Sequence, residues 1–155
     1  MFNIGYSGAG VLIYHVEKQD KVFVLLGKRF NNPDKGLWSI PGGGWEVSDV
    51  DKNGKPDYKE TARREMREEI GMFLPADKKH FLHEIWSIDV LFFKWKVFAL
   101  RMVKRRLPPQ HWEFSIMKWF ALDEIPAEYL CNKFIHQQVH HLKKFLLKKK
   151  HITHM

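Results

Sequence analysis

Apolar positions along the chain switch between two periods, and the switches mark out the elements. Residues 10–16 and 21–26 are short β-branched and aliphatic runs separated by Glu17, Lys18, Gln19 and Asp20, which predicts a β-hairpin. Residues 38–40 predict a third short strand that ends at Pro41 and a run of three glycines, where the chain enters a special turn. Residues 48–56 are polar, and Asn53-Gly54 is a turn signal, so an exposed loop is expected there. Asp57 followed three residues later by Glu60 has the spacing of a helix N-cap with a reciprocal partner, and Gly71 supplies a stop, so a helix spans 58–70. Ile, Val, Phe and Trp enrich residues 81–90 and 92–102, two long strands paired near Leu91, and residues 117–122 predict a last strand. Ile135, Val139, Leu142 and Leu146 then recur at helical spacing against His, Gln and Lys, which gives an amphipathic C-terminal helix over about 132–148 followed by a basic tail.

The order strand, strand, strand, helix, strands, helix suits a mixed α+β sandwich better than alternating βαβ units. Length places all 155 residues in one domain, and 45% hydrophobic with 14% aromatic residues fills a core and excludes a disordered or fibrous chain. The single Cys131 cannot form an internal disulfide, and residues 1–10 lack a charged start followed by an apolar core, so a reducing, cytoplasmic setting is expected. Apolar stretches such as 85–93 are interrupted by Ser87 and Asp89 and fall short of the roughly 20 residues of a membrane span. No membrane partner is therefore expected. A net charge of +8 points to a polyanionic partner, a phosphate-bearing metabolite or a nucleic acid, between which charge alone does not choose. Part of that excess, Lys143, Lys144, Lys148, Lys149 and Lys150, reads as a solvated helix face or tail.

The densest chemical signal lies inside the 58–70 helix. At about 100° per residue, Glu65, Glu68 and Glu69 fall within one quadrant of its surface. Carboxylates so close repel unless cations sit among them, and such oxygen ligands suit Mg²⁺ or Mn²⁺. Arg63 and Arg67 lie on the opposite side, which leaves Arg64 to orient the glutamates. A solvated acidic face balanced by these arginines is the plainer reading of such a helix, and its neighbours in the sequence decide against it.

The run Arg64-Glu65-Met66-Arg67-Glu68-Glu69-Ile70-Gly71-Met72 resembles the C-terminal part of the Nudix signature, G-x5-E-x7-R-E-U-x-E-E-x-G-U with U aliphatic. Upstream, residues 36–46 resemble the family's G-x-W-x-x-P-G-G-x-x-E approach. Downstream, Glu113 and residues 119–126 resemble its late glutamate and W-x-x-L-D-E-L segment. The first half of the signature departs from the pattern. Its first glutamate falls on Asp49 when counted from Gly43 and on Pro56 when counted back from Arg64, so the loop carries an insertion of seven residues. Asp49, Asp51 or neither replaces that glutamate.

The resemblance implies a Nudix-type mixed-sheet α/β/α sandwich with a catalytic strand-loop-helix. It also implies Mg²⁺-dependent (or Mn²⁺-dependent) hydrolysis of a diphosphate linkage in a nucleoside triphosphate or related nucleoside diphosphate derivative. Carried over residue by residue, Glu65, Glu68, Glu69 and the Gly42 carbonyl hold the metal, and Arg64 fixes the glutamates. Either Glu65 or Glu113 is the general base. For the substrate, Lys28, Arg29 and Lys35 are candidates to meet phosphates, and Trp38, Phe92, Trp95 or Trp112 to stack on a base. His136 and His140 have metal-ligand spacing but read as ordinary surface histidines. Competing readings are hydrolysis of ADP-ribose, another nucleotide sugar, a dinucleoside polyphosphate or 5′-capped RNA, or a non-catalytic nucleotide- or RNA-binding module. Isoprenoid diphosphate isomerisation needs a site cysteine, and Cys131 lies after the last strand.

Overall fold

The computed structural model describes residues 5–109 and 112–153. One mixed sheet runs through the middle, with a helix on each face. β1 (Tyr6–Val16) and β2 (Val22–Arg29) form the expected hairpin through Tyr14↔Val24 and Val16↔Val22. β1 begins earlier than its aliphatic run because its first half pairs elsewhere: parallel to β6 (Phe93–Arg101), and antiparallel to β4 (Gly42–Gly44) through Gly8↔Gly44 and Gly10↔Gly42. β2 carries β7 (Phe114–Ala121) along one edge and gives the end of its other edge to β3 (Trp38–Ser39). β5 (His83–Val90) closes the far side by pairing with β6, and Leu91 and Phe92 make the turn between them.

The glycine run expected to be a turn is therefore a strand. A Cβ on Gly8 would lie 2.3 Å from the Gly43 carbonyl oxygen, and one on Gly42 2.6 Å from that of Ala9. Two backbones approach closer here than any side chain permits.

Strand alternation sorts the core into two layers. Ala9, Val11, Ile13 and Leu25 face α1 (Tyr58–Ile70), where Ala62, Met66 and Ile70 are buried. Leu12, Tyr14, Val24 and Leu26 face α2 (Ile135–Thr153), which buries Ile135, Val139 and Leu142. α2 starts later than expected, and Lys149 and Lys150 belong to the helix instead of a tail.

α1 has the expected bounds. Asp57 caps it by accepting from the Lys59 amide at 3.0 Å, and Gly71 ends it in the left-handed conformation (φ 69°), donating to the Arg67 carbonyl. The reciprocal half of the cap does not form. Glu60 instead accepts from Arg63 and pairs with Lys79, at 3.1 and 3.0 Å, because the Asp57 amide already donates to the Asp49 carbonyl and two cations stand beside the carboxylate. Among the described residues no helix is long and apolar enough to cross a membrane.

Candidate active site

Arg64 organises the face of α1 that looks toward β4. Its Nε and Nη2 donate to the two oxygens of Asp49 at 3.1 and 2.9 Å, and Nη2 also donates to the Gly44 carbonyl at 2.7 Å. Nη1 donates to Glu65 at 2.9 Å and to Glu68 at 3.2 Å, with Glu46 at 3.4 Å. A guanidinium has five N–H donors in a rigid plane, and this one engages them all; an ammonium has neither the number nor the plane.

Asp49 is buried, which corrects the expectation of a wholly exposed 48–56 loop. It also accepts from the Glu46 amide at 2.9 Å and the Thr61 hydroxyl at 3.0 Å. Burial by itself would lift this carboxyl, but the bonds from Arg64, Glu46 and Thr61 outweigh it and hold the group below the usual carboxylate range. Asp51 stays within the loop, accepting from the amides of Asn53 and Lys55. Of the two acids, Asp49 faces Arg64.

Glu69 is buried and accepts from the Gly42 amide at 3.0 Å. Burial pushes its carboxyl up to about 8; the Gly42 amide and Arg29 oppose this, while Glu65 and Glu113 add to it. Burial likewise raises Glu65, against the pull of Arg64 and with Glu68 and Glu46 adding to it. Tyr6 was not singled out by the sequence. Its hydroxyl is held above its usual range by burial and then by Glu65 and Glu69, so it borders the same cluster, and its ring stacks on Phe93 at 5.8 Å. Only the pairing of β1 with β4 and β6 brings it there.

The NUDIX domain family model matches residues 7–142. The chain belongs to the Nudix family. It is a hydrolase of nucleoside diphosphate derivatives by that membership. No functionally curated protein matches the sequence. Among solved structures it is similar to the NUDIX domain of Shewanella oneidensis NrtR, complexed with ADP ribose, at 18% identity and TM-score 0.66, over 92% of this chain and 88% of that one. It is also similar to the Caenorhabditis elegans Ap4A hydrolase at 19% identity and TM-score 0.63, over 92% and 98%. The Burkholderia pseudomallei MutT NUDIX hydrolase aligns at 21% identity and TM-score 0.61, over 88% and 97%. At these identities the likeness concerns the fold.

The Nudix helix thus gathers Arg64, Glu65, Glu68 and Glu69 with Gly42, though Gly42 is seen engaged through its amide. Arg29 and Glu113 stand on the same side of the sheet, 3.6 Å apart, and both act on Glu69. Lys28, Lys35, Trp38, Phe92 and Trp95 are not brought to this cluster. Lys28 follows Val24 and Leu26 onto the α2 side of β2, because the side chains of a strand alternate. Lys35 is exposed in the turn between β2 and β3. Trp38 packs into the α2-side core, edge-on to Phe120 at 4.9 Å. Phe92 is exposed at the β5/β6 turn, and Trp95 lies against the glycine strand. His140 contacts His141 and joins no metal-binding group among the described residues.

The donor set fits a hard divalent cation in kind: carboxylate oxygens, one of them forced toward protonation by burial and by like neighbours. Among the described residues no three acidic, histidine or cysteine side chains already converge as ligands. Arg64 and the Gly42 amide engage the oxygens concerned. A cavity of about 620 Å³ elsewhere, between β1, β2 and α2, contains the acid Asp20, which is paired with Lys150. The clustered carboxylates of α1, and not the size of a cavity, mark the site.

Gly43 gives a direct test of that geometry. A Cβ there would come within 2.5 Å of the Glu65 carboxyl, a movable side-chain end. Gly43→Ala should therefore displace Glu65 without disturbing the fold. We expect turnover to fall by about 10-fold or more, with Tm lowered by no more than about 4 °C in a thermal melt.

Proposed function

We propose that this Nudix chain hydrolyses the diphosphate linkage of a nucleoside triphosphate or related nucleoside diphosphate derivative, with Mg²⁺ or Mn²⁺ held by Glu65, Glu68, Glu69 and the Gly42 carbonyl. The observation that carries this reading is the Arg64 fork, which spends every donor on fixing acids and backbone around one patch of α1. When bound, a divalent ion supplies charge neutralisation at the phosphate oxygens and an acidified water.

The protein groups do the rest. Arg64 holds Glu65 and Glu68 in place and so positions the reaction without touching substrate. Glu65, pressed against Gly43, accepts the proton of the attacking water, and Glu113 is the alternative acceptor. Arg29, already near Glu113, meets the anionic phosphates.

The test is a turnover screen of purified protein across nucleoside triphosphates, ADP-ribose and other nucleotide sugars, dinucleoside polyphosphates and capped RNA, with EDTA, Mg²⁺ or Mn²⁺. We expect a nucleoside phosphate product, released only with a divalent ion. Nucleotide binding with no turnover under any condition would make the chain a binding module. Glu65→Gln and Glu113→Gln then separate the two bases: loss of kcat by about 10²-fold or more with little change in KM marks the acceptor.

A further inference from the structure

Beyond the carboxylate cluster, the C-terminal end of α1 carries a second recess. Arg67, Glu68, Gly71, Phe73, Pro109 and Trp112 line a cavity of about 610 Å³, within the roughly 300–1,000 Å³ range of small-ligand pockets. A smaller one of about 400 Å³ adjoins it, shares Arg67, Glu68 and Phe73, and leads back to Asp49 and Arg64. The recess is thus continuous with the candidate active site through Glu68.

Its lining is unusual in two respects. Phe73 and Trp112 are 66% and 68% exposed, although large aromatic rings are normally among the more buried side chains. Arg67 differs from its neighbours on α1. Arg63 is paired with Glu60 and Arg64 with its acids, whereas Arg67 pairs with no carboxylate among the described residues and lies over the Phe73 ring at 5.6 Å. A cation without an acidic partner beside two exposed aromatic side chains is complementary to one kind of occupant, an aromatic ring that carries a phosphate.

We propose that Phe73 and Trp112 are the walls of a nucleobase subsite and that Arg67 holds the phosphate attached to that nucleoside. Trp112 directly precedes Glu113, so a base seated here is tied to the segment that carries an acid facing the centre. The assignment rests on the hydrolytic reading of the carboxylate cluster and adds to it the side on which the base lies.

Calorimetric titration of the whole protein with ADP and, separately, with inorganic diphosphate tests it, both in EDTA so that binding is read apart from turnover. We expect Phe73→Ala and Trp112→Ala each to weaken ADP by about 10-fold, a usual consequence of losing one stacking partner, and to leave diphosphate unchanged. Trp112→Phe should retain most of the ADP affinity. Arg67→Gln should weaken both ligands. Both rings are exposed, so Tm should hold in every variant. Unchanged ADP affinity in both alanine variants overturns the subsite, as does wild-type protein that binds ADP no better than diphosphate. Ring-dependent ADP binding by a protein that hydrolyses nothing in the screen supports the subsite while removing the hydrolytic reading.

Discussion

Glu69→Gln should lower kcat by about 10²-fold or more while the protein stays folded, because an amide is a poor ligand and a more weakly held cation stabilises less of the charge developing on the phosphates. Of the α1 glutamates, Glu69 is the most buried and makes the bond to Gly42, so it has the fewest alternatives if its charge is lost. Stability should move the other way. The Glu69 carboxyl is raised to about 8 in the folded protein from an ordinary value near 4.5, by burial first. Such a group takes up protons on folding between those two values. Stability in EDTA should therefore fall as pH rises from about 5 to about 8 and level off above that. Glu69→Gln should flatten this slope and melt higher than wild type at pH 8, and Mg²⁺ should raise the wild-type Tm more than that of the variant. Thermal melts over that pH range decide it, together with initial rates at limiting Mg²⁺. Wild-type activity in the variant would remove the metal assignment.

Asp49→Ala should be the most destabilising change in the loop. It removes a buried carboxylate that binds Arg64 through both oxygens and also accepts from Thr61 and the Glu46 amide. What remains is a largely buried guanidinium with two unsatisfied donors, for which a loss of about 3 kcal/mol is typical, or about 6–12 °C in Tm for a chain of this size. Activity should fall by about 10–100-fold, as when a group that orients ligands is removed. Asp51→Ala, by contrast, loses two bonds to exposed amides and should cost about 1 kcal/mol with normal turnover. Equal effects at the two positions would mean that Arg64 does not depend on Asp49. Denaturant titration beside steady-state rates separates these outcomes.

The helix over 58–70 was legible to the residue because its signals are local: an Asp cap, a glycine in the left-handed conformation and apolar residues at helical spacing. The grouping of Glu65, Glu68 and Glu69 follows from the same periodicity. What could not be read depends on partners far away in sequence. Three glycines in a row carry no strand signal, and they form one because Gly8 and Gly10 leave room for them. Asp49 stands in a polar stretch, and its burial is decided by an arginine fifteen residues later. Glu60 has cap spacing, but Lys79 and Arg63 draw it away. Trp38 resembles a stacking residue by type, yet strand pairing with β2 takes it to the α2 side. Lys149 and Lys150 look like a tail because the apolar stripe has run out, while the helix continues without it.

The loop between Asp49 and α1 leaves and returns at one point. Val50 bridges Pro56, and the Asp57 amide donates to the Asp49 carbonyl at 2.9 Å. Everything between is a side excursion whose length the rest of the protein does not feel, since lengthening a closed loop adds little entropy. The interval between the acid and the arginine is thus a free variable, although their meeting is fixed. A linear pattern with constant spacing scores this chain as defective at the point where its geometry is intact. Patterns that let that interval float should gather further chains in which an aspartate or glutamate and a helix arginine keep company across loops of unequal size.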